Sequence, residues 1–366
     1  MPFTRVTLPC LTVAALLILL VAGCSDDDPV APVGNRTLAV PTQFATIQAA
    51  VDAARPGDLV VVAAGTYTDS VTVQTYFGAT ATAVLAMKSG VEIRSASGLP
   101  ADVVLVGRDG EPVVYCVGVD STASLRGVTI TGGQVGIIGA HANPYFFDCT
   151  LTGNHNRSNS GSGGGMYWDF SSPTFINCNV TDNSATHGGG ATFANDSHPT
   201  MTNCSFTDNL AWSSPSSPGT GGAMVISNDC TAVLSYCTFT ANEADSTGGA
   251  IEIYNSIVDM TFCQVAANVC RGDGGGVFLN YGARLNLANC VVEDNEARWQ
   301  GGGIYGKSDV VLDAGTTTIL GNTAPTGPDG FYRGPDNSAE IILWCCEVEL
   351  DRWVGGSITV DNENCP

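Results

Sequence analysis

Six times between residues 149 and 295 a cysteine is followed five positions later by an asparagine, and this repeat constrains the fold more than any other feature of the 366-residue chain. The pairs are Cys149 and Asn154, Cys178 and Asn183, Cys204 and Asn209, Cys237 and Asn242, Cys263 and Asn268, and Cys290 and Asn295, with the cysteines spaced by 29, 26, 33, 26 and 27 residues. Two positions after each Cys stands an apolar residue: Leu151, Val180, Phe206, Phe239, Val265 or Val292. Two beyond the Asn, from the second copy onward, come Ala185, Ala211, Ala244, Cys270 and Ala297. A seventh copy replaces Cys by Thr317 and continues through Ile319, Asn322 and Ala324. Each unit also carries two glycines, a small residue and two apolar residues one position apart, as in Gly248 to Ile253 and Gly274 to Leu279. Self-similarity at this period marks a solenoid, in which one supersecondary unit stacks on the next.

Apolar residues two apart make strands with one face inward, while Gly and Asn tolerate the left-handed backbone of a tight corner. Three short strands and three corners fill one such unit. Stacking at about 4.8 Å places each Cys above the last Cys and each Asn above the last Asn. Inward Asn side chains then hydrogen-bond along the stack and satisfy corner backbone groups. Stacked thiols at that spacing are too far apart for a relaxed disulfide, whose Cβ atoms lie about 3.8 Å apart, so the column is expected to be free thiols. Cys345, Cys346 and Cys365 lie outside the repeat, and a bridge from Cys365 to Cys345 or Cys346 would pin the tail. No CxxC pair or His cluster supports a metal, and no cofactor is expected.

The ends read differently. Arg5 followed by the apolar run Leu11 to Ala22 forms an export leader, too short to span a bilayer. Val21-Ala22-Gly23-Cys24 resembles a bacterial lipobox. The resemblance implies cleavage after residue 23, lipidation of Cys24, and membrane attachment in the bacterial cell envelope, at the outer membrane or cell surface. Residues 24–40 then read as a tether, 41–330 as the solenoid and 331–366 as a cysteine-containing tail. Ile47, Ala50, Val51 and Ala54 repeat at helical spacing and Pro56-Gly57 ends the pattern, so one short helix is expected before the strand run Leu59 to Ala63. The stretch Phe44 to Asp69 resembles the opening of right-handed parallel β-helix proteins of the pectin lyase-like group, in which such a helix caps the open end of the core. The expected fold is therefore all-β: a right-handed, single-stranded parallel β-helix with a short N-terminal capping helix. Gly248-Gly-Ala-Ile251, with Phe206 to Asn209 and Phe239 to Asn242, is similar to the repeats of chlamydial polymorphic outer membrane proteins, which implies a surface adhesin.

Composition excludes other classes. A formal net charge of −21 repels phosphate, so no nucleic acid is expected as partner, and 44% hydrophobic residues exclude a disordered chain. Gly301 to Ser308 matches a phosphate-loop pattern, but its glycines fall in register with the other repeat corners, so no nucleotide is expected. Gly65-Thr-Tyr67-Thr-Asp69 is similar to an early stretch of pectin methylesterases. The later esterase stretches have no counterpart, nor do the polygalacturonase and pectate lyase motifs, and the only lysines are Lys88 and Lys307.

A ligand surface is expected where the repeat is interrupted. Insertions at Asn156 to Ser162 and Trp212 to Thr220 fall on one edge, near His187, Arg271, Asp273, Arg298 and Trp299. Past the glycine corner, the outward column reads Tyr167, Thr192, Val225, Glu252, Phe278 and Tyr305. Tyr167, Trp212, Phe278 and Trp299 are the expected stacking contacts for a glycan or a surface protein, with His187 and Glu252 as polar contacts. Scattered aromatics on a plain solvent face would read the same way. Glu252 is the one carboxylate central enough for acid or base work, whereas hydrolysis of a glycosidic bond ordinarily takes two, so no catalytic residue is assigned. The expected function is a surface binding, adhesive or structural role; the alternative is a polysaccharide lyase, hydrolase or esterase.

Overall fold

The computed structural model describes residues 35–75, 78–325, 331–333, 340–348 and 357–361. The leader, Cys24 and Cys365 lie outside the described residues. Alternating apolar residues wind the chain into a right-handed parallel β-helix, as expected. Each coil contributes a strand to three long sheets. In one coil Thr174–Ile176 enters the first sheet, Asn179–Thr181 the second and Ala191–Ala194 the third, with Ser184–Ala185 in a shorter ladder between the second and third. Register is kept coil to coil: Phe146, Phe175 and Met201 align in the first sheet, and Leu151, Val180, Phe206 and Phe239 in the second. The inward residues form one continuous core, in which Phe146 and Phe175 stack at 4.7 Å and Phe206 and Phe239 at 5.1 Å.

The corners follow from their residues. Asn177, Asn203 and Asn289 sit at φ near 54° just before the cysteine column, and Asp182, Asp208 and Asp294 do so just before the asparagine column. These are side chains that tolerate the left-handed region. Both columns are buried. Asn242 is fully enclosed: its Nδ2 donates to Phe206 O, Thr240 O and Asn268 Oδ1 at 3.0, 3.2 and 2.9 Å. Its Oδ1 accepts from the backbone and side chain of Asn209. The side-chain bond from each Asn to the next runs without a break from Asn154 to Asn322. The six repeat cysteines are buried free thiols that donate to carbonyls, and Thr317 continues the column by donating to Gly315 O at 3.0 Å. Cys270 fills its alanine column, packed with Ala211 and Ala244, and burial pushes its thiol up to about 12. Cys345 is disulfide-bonded, whereas Cys346 is free.

At the amino end, helix Ile47–Ala53 buries Ile47, Ala50 and Val51 against the first coil, capped by the Thr46 hydroxyl accepting from Ala49 N at 3.1 Å. The solenoid begins earlier than residue 41: Thr37–Val40 already pairs with Leu59–Val62, because Leu38 and Val40 alternate inward. Arg36 anchors this strand to buried Asp58, with Nε to Oδ2 at 3.0 Å. The Arg36 side chain and the Arg55 backbone N–H hold the Asp58 carboxyl well below the usual carboxylate range. At the other end, Glu340–Trp344 and Ser357–Asp361 add strands to the first sheet, so the coil pattern runs on into the stretch read as a tail. Val71–Gln74 folds back on Thr80–Ala83 as an antiparallel hairpin outside the coils.

Candidate functional site

The outward face of the third sheet carries the site. In strand Met166–Asp169, Met166 and Trp168 enter the core, while Tyr167 and Asp169 face away from it. Register then builds two outward columns. One runs Tyr167, Thr192, Val225, Glu252 and Phe278, and the other Asp169, Ala194, Ser227, Tyr254 and Asn280. The two middle coils contribute only short side chains to both columns. A trough therefore opens between Tyr167 on one side and Glu252 and Tyr254 on the other, and its volume is 420 Å³. Its corner rim is Asn195 and Asn228, and its far wall is Ser162, His187, Pro218 and Thr220.

That wall is made by the two insertions. They come from coils either side of the one that carries His187, and they touch through Ser214 Oγ donating to Asn159 O. His187 is strung between Ser162 and Thr220 in the ladder, with Nδ1 3.1 Å from Thr220 Oγ1 and Nε2 2.7 Å from Ser217 Oγ. Burial lowers the His187 pKa, so the ring is neutral to lower pH than a free imidazole. Burial raises the Glu252 carboxyl, opposed by the Thr220 and Thr247 hydroxyls and by the charge of Lys307. Asp273 is likewise raised by burial, against the Gln300 backbone and Lys307. Tyr167 is pushed up to about 12 by burial and, after it, by the Asp169 charge. Asp169 Oδ1 accepts from Asn195 Nδ2 at 2.7 Å, which holds the rim amide in place.

Three of the six expected contacts, Tyr167, His187 and Glu252, meet in this groove. Phe278 is a correction. It faces away from the core yet is 3% exposed, because it stacks on Tyr305 at 5.1 Å and packs against the corner glycine Gly274, so it offers no free ring face. Trp212 is half-buried and Trp299 is exposed, and neither lines the groove. Sequence reading overlooked Tyr254, Asn195 and Asn228. The signal was the run of small residues, Ala194 and Ser227, in the column beside the one that was followed. Gly301–Gly303 of the phosphate-loop pattern form the same corner as the other copies, and Ile304–Gly306 is a strand paired with Val277–Leu279. The helix N-terminus that such a loop requires does not follow it.

Solved structures carry the same fold. The chain is similar to the A-module of a mannuronan C-5 epimerase from Azotobacter vinelandii, at 13% identity and a TM-score of 0.52, over 87% of this chain and 93% of that one. It is also similar to a polygalacturonase from Erwinia carotovora ssp. carotovora, at 14% identity and a TM-score of 0.50, over 92% and 99% of the two chains. No curated protein matches this chain in sequence. The family model described as the right handed beta helix region matches residues 113–324, more than half of the chain, and the coils, corners and ladders above account for that match: this protein belongs to the right-handed β-helix family.

Proposed function

We propose that this protein is an exported, lipid-anchored β-helix whose third-sheet groove binds a neutral glycan. The observation that carries the reading is the trough itself: short side chains on two adjacent coils, aromatic Tyr167 and Tyr254 at either end, and amide, hydroxyl and imidazole groups around the rim. Aromatic faces stack on the apolar face of a sugar ring, and fixed polar groups select its hydroxyls. An acidic chain disfavours polyuronates, which points to an uncharged polysaccharide. Attachment to the cell envelope would follow from Cys24. Screening on a glycan array, then titrating the best binder against Tyr167→Ala and Tyr254→Ala, tests the groove: affinity should fall at least about tenfold with the melting temperature unchanged. Array binding that survives both substitutions would remove it. Cys24→Ser should shift the protein from the membrane to the soluble fraction, and unchanged membrane association would refute the anchor.

A second reading, a polysaccharide-active enzyme, is favoured by one feature of the groove. Glu252 is biased by burial toward its protonated form and His187 toward its neutral form, a complementary acid and base in one trough. The epimerase and polygalacturonase named above have the same fold, which supports the class and no particular reaction. Assays for new reducing ends and for unsaturated uronates decide it, with Glu252→Gln abolishing any activity that is found.

A further inference from the structure

We infer that the first sheet carries a second, independent sugar-binding site, built around Gly315 and Trp344. Near the carboxyl end of the solenoid, the outward column Thr261, Ala288, Gly315 and Trp344 shrinks coil by coil before it meets the indole. The result is a depression of 440 Å³ with Trp344 as its end wall, 52% exposed. Its side is the adjacent outward row of Asp259, Asn286 and Asp313. Asn286 Nδ2 donates to Asp259 Oδ1, Arg284 Nε donates to Asn286 Oδ1 at 2.9 Å, and the Arg284 guanidinium lies 3.8 Å from Asp313 Oδ2. The row is thus held in place while its two carboxylates, about 10 Å apart as strands two positions removed, face the depression.

Gly315 points to a ligand. A glycine within a strand weakens it and is ordinarily explained by a left-handed backbone or by another group pressed against the Cα. Neither applies here. Gly315 does not have a positive φ, and a Cβ built on it would meet a single atom, Leu287 O, at 3.9 Å. The space above Gly315 is therefore open, and any larger side chain would close the depression between Asp313 and Trp344. The chemistry of the lining selects the occupant. An exposed indole stacks on the C–H face of a pyranose, carboxylates accept from paired hydroxyls, and the same carboxylates repel uronates and other anions. A neutral hexose or pentose unit of a polysaccharide fits all three. The site lies on a different sheet from the groove and does not depend on the function proposed for it.

Calorimetric titration of the full chain with cellohexaose, xylohexaose, mannohexaose and maltohexaose tests the inference. At least one should bind the wild type, and Gly315→Val and Trp344→Ala should each weaken it by at least about tenfold. Tyr236→Ala, which removes an exposed ring outside both the groove and the depression, should leave that affinity unchanged. The melting temperature of Gly315→Val should stay level or rise, since valine suits a strand better than glycine. Four probes that fail to bind, or a Gly315→Val protein that binds like the wild type, would overturn the site. A Gly315→Val protein that melts at lower temperature would make the glycine structural and overturn it as well. Binding lost in Tyr254→Ala and retained in Trp344→Ala would assign the sugar to the groove alone.

Discussion

A single asparagine does three jobs in this fold. Asn242 donates to the carbonyl two residues before it, to a carbonyl in the preceding coil and to the next ladder Asn, and its Oδ1 accepts the backbone N–H of the ladder Asn in the preceding coil. Removing one amide therefore leaves buried carbonyls and an N–H without partners, and each such loss costs about 1 to 3 kcal/mol. Asn242→Ala is expected to destabilise the protein by at least that range in urea or guanidinium unfolding; an unchanged midpoint would mean that the ladder is ornamental. The cysteines differ. Their thiols donate weakly to carbonyls, and Thr317 takes the same place by the same kind of bond, so the column selects a small inward donor rather than sulfur chemistry. That reading was legible from spacing alone, because a constant offset between two residue types fixes both to the same corner.

At the scale of the strand, what matters is how one coil fills the space left by the next. Gly139 stands directly before Trp168 in an inward column of the third sheet, and a Cβ on it would fall 1.9 Å from the indole. The indole occupies the volume that a side chain at residue 139 would need. Gly139→Ala is expected to drive Trp168 from its packing and to destabilise by about 1 to 3 kcal/mol, read as a lower melting temperature with a shifted tryptophan emission. Retained stability would show that the neighbouring coil yields instead. The capping helix was readable because four apolar residues share a helical face and Pro56-Gly57 ends it. The hairpin of Val71–Gln74 with Thr80–Ala83 left no such trace, since two four-residue strands are too short to establish a period.

The molecule as a whole is a one-dimensional stack. Each coil packs on its two neighbours, so its stability is approximately the sum of coil terms and nearest-neighbour interfaces. Removing one complete unit in register should therefore preserve the fold. Deleting residues 263–289 joins Phe262 to Cys290, brings equivalent corner positions together and keeps both columns in step. The shortened protein is expected to give the same β-type circular dichroism, to unfold cooperatively and to retain the glycan binding proposed for the groove, whose lining lies outside the deletion. Aggregation or loss of the β spectrum would mean that the coils are not interchangeable.

The sequence by itself determined the coil, its inward columns and its corners, because each of these recurs at a fixed offset and a buried position tolerates few residue types; its hand came from the resemblance of Phe44 to Asp69 to right-handed β-helix proteins. It also marked the edge where the insertions stand and three groups in the groove, Tyr167, His187 and Glu252. Only the tertiary structure decided which outward side chains are open to solvent. Phe278 and Tyr305 share the outward register of Tyr167, yet they cover one another, while Thr192, Ala194, Val225 and Ser227 leave a trough because they are short. The depression beside Trp344 was invisible for the same reason: a cavity is the volume that adjacent coils fail to fill, and that difference depends on residues about 27 apart in sequence being about 4.8 Å apart in space.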